Sequence, residues 1–234
     1  MAFRTSEYLQ RNELVRFQLE DVIRIPGGNE HQQKNGYKFV INDRSSFYDW
    51  YNAYFEVQFQ LQVLADGTGV PNTTRATVIN GAHSLIKHIM IKSAGKIVYD
   101  TDNLHKVTFV KNLLEYSDDY SRSVAKDSFW YLDVANLADM TAAGNTGFES
   151  RRELTKRVGE GNNAVDNAAK NVNVIIPLNR YSFFEELESR MLDPMQLELN
   201  IELQDDTELI YKTGAADANR VVVNRFLLDR KSVV

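Results

Sequence analysis

The clearest pattern in the chain is a run of strict alternation. In AYFEVQFQLQVL the apolar positions are Phe55, Val57, Phe59, Leu61 and Val63, and between them lie Glu56, Gln58, Gln60 and Gln62. Successive strand side chains point to opposite faces, so this spacing predicts a strand with one buried and one wet face. Such a strand favours an antiparallel sheet, because parallel sheets are covered on both faces. The alternation returns in MQLELNIELQ, where Met195, Leu197, Leu199, Ile201 and Leu203 oppose Gln196, Glu198, Asn200, Glu202 and Gln204. YKFVI, NVNVIIPL, ELIYK and RVVVNRFLLDR read as further strands. SLIKHIMIK has apolar residues on both parities, with Leu85, Ile89 and Ile91 against Ile86, His88 and Met90, which predicts a more covered strand. SAGK then makes a tight turn, its glycine supplying the permissive backbone, into the hairpin partner IVYDT.

The period changes after Asp102. Leu104, Val107, Val110, Leu113 and Leu114 lie close to a 3.6-residue repeat and predict a helix to Tyr116, with Asp102 or Asn103 as its N-cap. SVAKDSFWYLDVANLADM is a candidate for a second, less regular helix, and FFEELESRML for a short helical insertion before Pro194. Residues from Ser6 to Glu20 have loosely helical spacing and read as a short helix or an arm that orders against a neighbour. IPGGNEHQQKNG, NDRSS and ADGTGVPNTT are turn-rich connections, AADAN is a linker-like break, and Thr141 to Asn171 reads as one long polar loop. The expected organisation is an N-terminal arm over 1–36, a β domain over 37–212, and a linker and C-terminal strand over 213–234. The expected fold class is all-β: an antiparallel β-sandwich with short helices inserted in its connections, of which the jelly roll is one form.

Charge and composition narrow the picture. The net charge of −5 argues against a nucleic-acid coat or a polybasic membrane binder. The chain has no cysteine, which removes disulfides, zinc–thiolate sites and cysteine nucleophiles. Its start lacks the apolar core of a signal peptide, and no run has the ~18 apolar residues of a membrane span, so the expected setting is the cytoplasm or nucleus, or a particle assembled there.

Candidate chemistry is sparse. Of His31, His83, His88 and His105, only His83 and His88 are close, and five residues apart they face opposite sides of an extended strand, unlike a metal pair. Asp100 and Asp102 in YDTDN resemble the start of a calcium loop without its glycine and terminal glutamate, so turn and cap chemistry is the better reading. GEGNN, around Gly159 and Gly161, lacks the Gly-Lys-Ser/Thr of a phosphate loop. Arg151, Arg152, Lys156 and Arg157 form the one basic cluster, read as a solvated face with an inter-subunit salt-bridge role as the sharper possibility. Asn72 heads a glycosylation triplet in a chain with no secretory signal. Two aromatic groups, Tyr48, Trp50, Tyr51, Tyr54 and Phe55, then Phe129, Trp130 and Tyr131, suit a core or a subunit contact better than ligand stacking. No catalytic, cofactor-binding or metal residues are assigned, and no cofactor is expected.

The strand YFEVQFQLQVL, the turn-rich loop and VINGAHSLIKHIMIKSAGKIVYD are followed by LHKVTFVKNLLEY, then GFESRREL and NVNVIIPLNRYSFFEELESRMLDPMQLELNIEL. Over roughly residues 37 to 204 this order resembles the N-terminal half of major capsid proteins of the double jelly-roll lineage. The polinton-like virus and adintovirus branch is the nearer likeness, and virophages are more distant. The resemblance implies a jelly roll standing on a capsid surface, trimers with two rolls per subunit, and pseudo-hexagonal capsomers. A double jelly-roll subunit would be roughly twice as long, and RVVVNRFLLDRKSVV looks like the linker and first strand of a second roll. The expectation is therefore a non-enzymatic viral capsid protein that self-assembles into an icosahedral shell. Its expected partners are itself, as a trimer or capsomer, and other capsid proteins such as a penton, with no sequence-specific nucleic acid and no transmembrane segment. Its expected location is the virion, assembled in the host cytoplasm or nucleus. The alternative is a jelly-roll carbohydrate-binding or host-attachment module using Trp50 or Trp130. A cupin-type enzyme is a third possibility, and the histidine spacing argues against it.

Overall fold

A computed structural model describes residues 36–41, 47–134, 139–161, 163–188, 190, 196–212 and 219–233. The expected arm at Ser6–Glu20, the NDRSS turn, most of the AADAN break and all but the last residue of the IPGG loop lie outside the described residues.

The chain is mostly β, and its named strands pair antiparallel. In order, the strands are β1 (Gly36–Ile41), β2 (Phe47–Val63), β3 (Ala76–Val78), β4 (Ile86–Ser93), β5 (Lys96–Thr101), β6 (Val172–Pro177), β7 (Leu197–Leu203), β8 (Ile210–Lys212) and β9 (Asn219–Val233). They form sheets ordered β1-β7-β4-β5 and β6-β2-β9, plus the small pair β3-β8. The connections carry short helices: α1 (Leu104–Glu115), α2 (Asp118–Arg122), α3 (Thr146–Thr155), α4 (Ser182–Glu185) and α5 (Asp206–Leu209).

Alternation in β2 does what it predicts. Phe55, Val57, Phe59, Leu61 and Val63 are buried, and Glu56, Gln58, Gln60 and Gln62 lie half-exposed on the other face. Each fully buried side chain of this kind contributes roughly 1.5–3 kcal/mol. Upstream the buried parity switches to Tyr48 and Trp50. The switch occurs where pairing with β9 slips between Asp49 and Tyr54, and where the Asp49 carboxylate accepts from both the backbone N and the side-chain amide of Asn52. The bulge lets both ends of one long strand bury aromatics in the same core. The two larger sheets share that core: Phe39 of β1 lies 5.7 Å from Phe55 of β2, and Phe226 of β9 lies 5.1 Å from Phe55.

The structure corrects several local expectations. β4 is not covered on both faces. Lys87 is an extra residue in the ladder, since Ile86 pairs with Leu203 and His88 with Glu202. The bulge puts Ile86, Ile89 and Ile91 on the core side and leaves His88 and Met90 half-exposed. The turn after β4 is tight as expected, with Ala94 and Gly95 both at positive φ, the geometry of a two-residue hairpin loop. The polar stretch 141–171 is not one loop: α3 forms within it, started by Asn145, whose side-chain oxygen accepts from the Phe148 N–H. Where a second helix was expected in SVAKDSFWYLDVANLADM, the described residues form a 3-10 turn at Val124–Ser128, and residues 135–138 lie outside them. The strand expected within 213–234 pairs with β2 over most of that strand's length and sends Phe226 and Leu228 into the common core, so it is built into the same body as 37–212.

Candidate functional site

Helix α1 is the element whose surroundings do not match its sequence pattern. An apolar stripe on a helix ordinarily faces a core. Here the buried side consists of Leu104, His105, Thr108 and Asn112, and the apolar stripe points outward. Val107, Val110 and Leu113 are more than half exposed, and Leu114 is 81% exposed. The chain enters the helix through Asn103, held left-handed at φ 58° without a side-chain capping bond. Asparagine tolerates that conformation, so Asn103 is the N-cap in position but not by capping chemistry.

A polar network fixes this orientation. Arg180 Nε donates to Asn112 Oδ1 at 2.9 Å, and the Arg180 guanidinium also pairs with Glu115 at 2.8 Å. The guanidinium carbon lies 4.9 Å from the centre of the Tyr116 ring. Lys111 pairs with Glu185 on α4. Arginine only donates, so Asn112 Oδ1 faces Arg180 and the Asn112 amide NH2 must face His83 Nδ1, 3.3 Å away. His83 Nδ1 is therefore the acceptor, and the ring proton sits on Nε2, which meets no partner among the described residues. Burial is the main cause that lowers the His83 pKa to about 3, with the nearby Arg180 charge second and His105 third. Protonating Nδ1 would also set two donors against each other. Trp130 closes the cluster, with ring centres 5.4 Å from Phe109, 5.6 Å from Tyr116 and 6.0 Å from His83. Rotating α1 to hide its apolar stripe would break all these contacts, so the stripe stays at the surface.

At the C-terminal end of α1 lies an open pocket of about 370 Å³, lined by Glu115, Tyr116, Ser117, Tyr120, Pro177, Asn179 and Arg180. Tyr116 and Tyr120 have ring centres 4.7 Å apart. Burial pushes the Tyr116 phenol up to about 12, against the opposing pull of Arg180. At neutral pH the pocket is thus a neutral aromatic surface beside one compensated ion pair.

The residues singled out in the sequence are scattered. His31 lies outside the described residues. His88 reaches Asp100 across the hairpin at 2.6 Å. His105 is buried under α1, meets Gln204 at 3.0 Å, and has its pKa lowered chiefly by that burial. Among the described residues no three histidines or carboxylates converge as a metal site. Gly159 and Gly161 bring the chain against the Asp166 carboxylate, where added side chains would collide, so their loop closes on an acid.

The basic cluster is not a solvated face. Arg151 is fully buried and binds the Tyr131 carbonyl at 2.7 Å and Asp133 at 2.8 Å. Arg152 reaches Glu149 and the backbone oxygens of Asn72 and Thr74. Lys156 pairs with Glu153, and Arg157 binds Asn167. Nor can Trp50 or Trp130 stack a ligand from solvent, because both are in the interior. The outward-facing stripe was the signal left unread: Leu104 lies at its edge, and the four-residue ladder Leu104–Thr108–Asn112 marks the other side as the anchored one.

Set against known proteins, the chain matches no family model and no curated protein.

Proposed function

We propose that this chain is a structural subunit of a viral capsid, self-associating through its surface to build a shell. The observation that carries the reading is the outward apolar face of α1, held out by the contacts of Arg180, Asn112 and His83 on its other side. A contiguous exposed apolar patch marks an association surface. The jelly-roll form of the fold is part of the same reading. Its support is the nested pairing, β1 with β7 outside β2 with β6, and the place of β7 between β1 and β4. Nested antiparallel pairs are what a wound Greek-key sandwich produces. The resemblance of 37–204 to double jelly-roll capsid subunits points the same way, and the virion is the proposed location.

The test is electron microscopy of the purified full chain over a range of salt and pH. Rings, trimers or shells are expected. Isolated particles of single-subunit size at every condition would remove the capsid reading.

A second reading, a carbohydrate-binding module, is favoured by the pocket beside Tyr116 and Tyr120, since paired aromatic faces with a flanking arginine and asparagine suit a sugar. Glycan-array binding that is lost in Tyr120→Ala would establish it. Binding unchanged in that variant would dismiss this pocket as its site.

A further inference from the structure

The pocket at the C-terminal end of α1 has one cation, and that cation is already committed; the polar groups it leaves free are neutral. We infer that the pocket receives one uncharged pyranose ring at the end of a glycan and refuses sialic acids and other acidic sugars. This goes a step past the carbohydrate-binding reading, on which it rests, by naming the class of sugar.

The exclusion of acids comes from Arg180. A carboxylate is held best by an arginine that presents a free two-pronged edge. Of the residues lining the pocket, only Arg180 is a cation. Its Nε donates to Asn112 at 2.9 Å, its far end pairs with Glu115 at 2.8 Å, and its guanidinium carbon lies 4.9 Å from the centre of the Tyr116 ring. Its charge is thus balanced and its fork is turned toward α1. The neighbouring cations are also taken: Lys111, one turn before Glu115, pairs with Glu185, and Arg122 pairs with Asp118 at 3.7 Å. Asp119, exposed and next to Tyr120 in the chain, adds a negative charge. A sugar carboxylate brought here sits beside Glu115 with no cation left to offset it, and like charges disfavour that placement.

What remains suits hydroxyls. Asn179 is half-buried in the wall, and its side-chain amide makes no hydrogen bond among the described residues. An amide both donates and accepts, which matches two neighbouring sugar hydroxyls. Ser117 Oγ accepts from the Tyr120 N–H at 3.2 Å and keeps its own proton to donate. Tyr120 is 37% exposed, and its ring is inclined at 54° to that of Tyr116. With Pro177 it offers apolar surface to the C–H face of a pyranose. The volume of about 370 Å³ is near the lower end of the ~300–1,000 Å³ of small-molecule sites, so it takes a single ring. Its open side lets the rest of a glycan run out into solvent.

Ligand-observed NMR on the full-length chain at neutral pH tests this. The probes are the methyl glycosides of glucose, galactose and N-acetylglucosamine, beside the methyl glycoside of N-acetylneuraminic acid. At least one neutral probe is expected to bind, and the acidic one is not. Tyr120→Ala and Asn179→Ala, two separate variants checked for folding by thermal melting, are each expected to weaken the neutral probe about tenfold.

An acidic probe that binds as well as the neutral ones would overturn the inference and leave the carbohydrate-binding reading standing. Neutral binding that survives both substitutions would place the sugar elsewhere and overturn it too. No binding of any probe would remove the carbohydrate-binding reading itself, and the inference with it.

Discussion

Lowering the pH from 7.5 to 5 is expected to destabilise the fold through His83. In the folded chain this imidazole has its pKa lowered to about 3 by burial, helped by the Arg180 charge, against 6.5 for a free histidine. Below pH 6.5 the unfolded chain takes up a proton here that the folded chain refuses, so stability is lost as pH falls. One proton gives a slope approaching 1.4 kcal/mol per pH unit, and the loss by pH 5 is about 2 kcal/mol. His105, also lowered, acts in the same sense. Glu149 and Glu198 have lowered pKa values and lose their contribution only below the ordinary carboxylate range. Asp206 is raised by burial and acts oppositely, gaining stability as pH falls toward its pKa.

Urea unfolding at half-unit steps between pH 7.5 and 5 measures the slope. The same series in His83→Phe, which keeps a flat ring but cannot titrate, isolates the residue. A flatter profile in the variant is expected. Identical profiles, or an NMR titration placing His83 near 6.5 in the folded chain, would refute the burial argument.

Other variants test the same structure elsewhere. Gly81→Ala is expected to lose about 2–3 kcal/mol in urea unfolding, because Gly81 has φ 85° and an added Cβ would run into the His83 ring; unchanged stability would contradict that contact. Arg151→Ala strands the Asp133 carboxylate and the Tyr131 carbonyl and is expected to cost about 3–5 kcal/mol; a loss within 0.5 kcal/mol, as for ordinary surface positions, would mean the cluster is solvated after all. Trp130→Ala is expected to lose about 3–5 kcal/mol as a core truncation, measured by thermal melting, whereas a fully stable variant would place the ring outside the core.

Most strands were legible, though not β3, and the sheet order and the surfaces were not. Alternation in β2 and β7 states which residues enter a core, because a strand has only two faces and its period is fixed. Bulges at Asp49–Tyr54 and at Lys87 change phase without any residue type that announces them. Helix α1 shows the deeper limit. Its repeat gives the helix, but which side is buried is decided by Arg180, His83 and Glu185, residues remote in sequence. The basic cluster reads as a charged surface for the same reason: Asp133 and the backbone oxygens of Asn72 and Thr74, which occupy Arg151 and Arg152, lie across the fold. Trp50 and Trp130 sit in the interior, one of the two places their sequence setting favoured.

The central claim is that the outward face of α1 holds subunits together. Sedimentation velocity of the full chain over a hundredfold concentration range, beside Leu114→Glu, tests it directly. The parent chain is expected to shift to faster-sedimenting species as concentration rises. The variant, altered at a side chain 81% exposed, is expected to keep its stability and stay monomeric. A parent chain monomeric throughout, or a variant that associates equally well, would contradict the account.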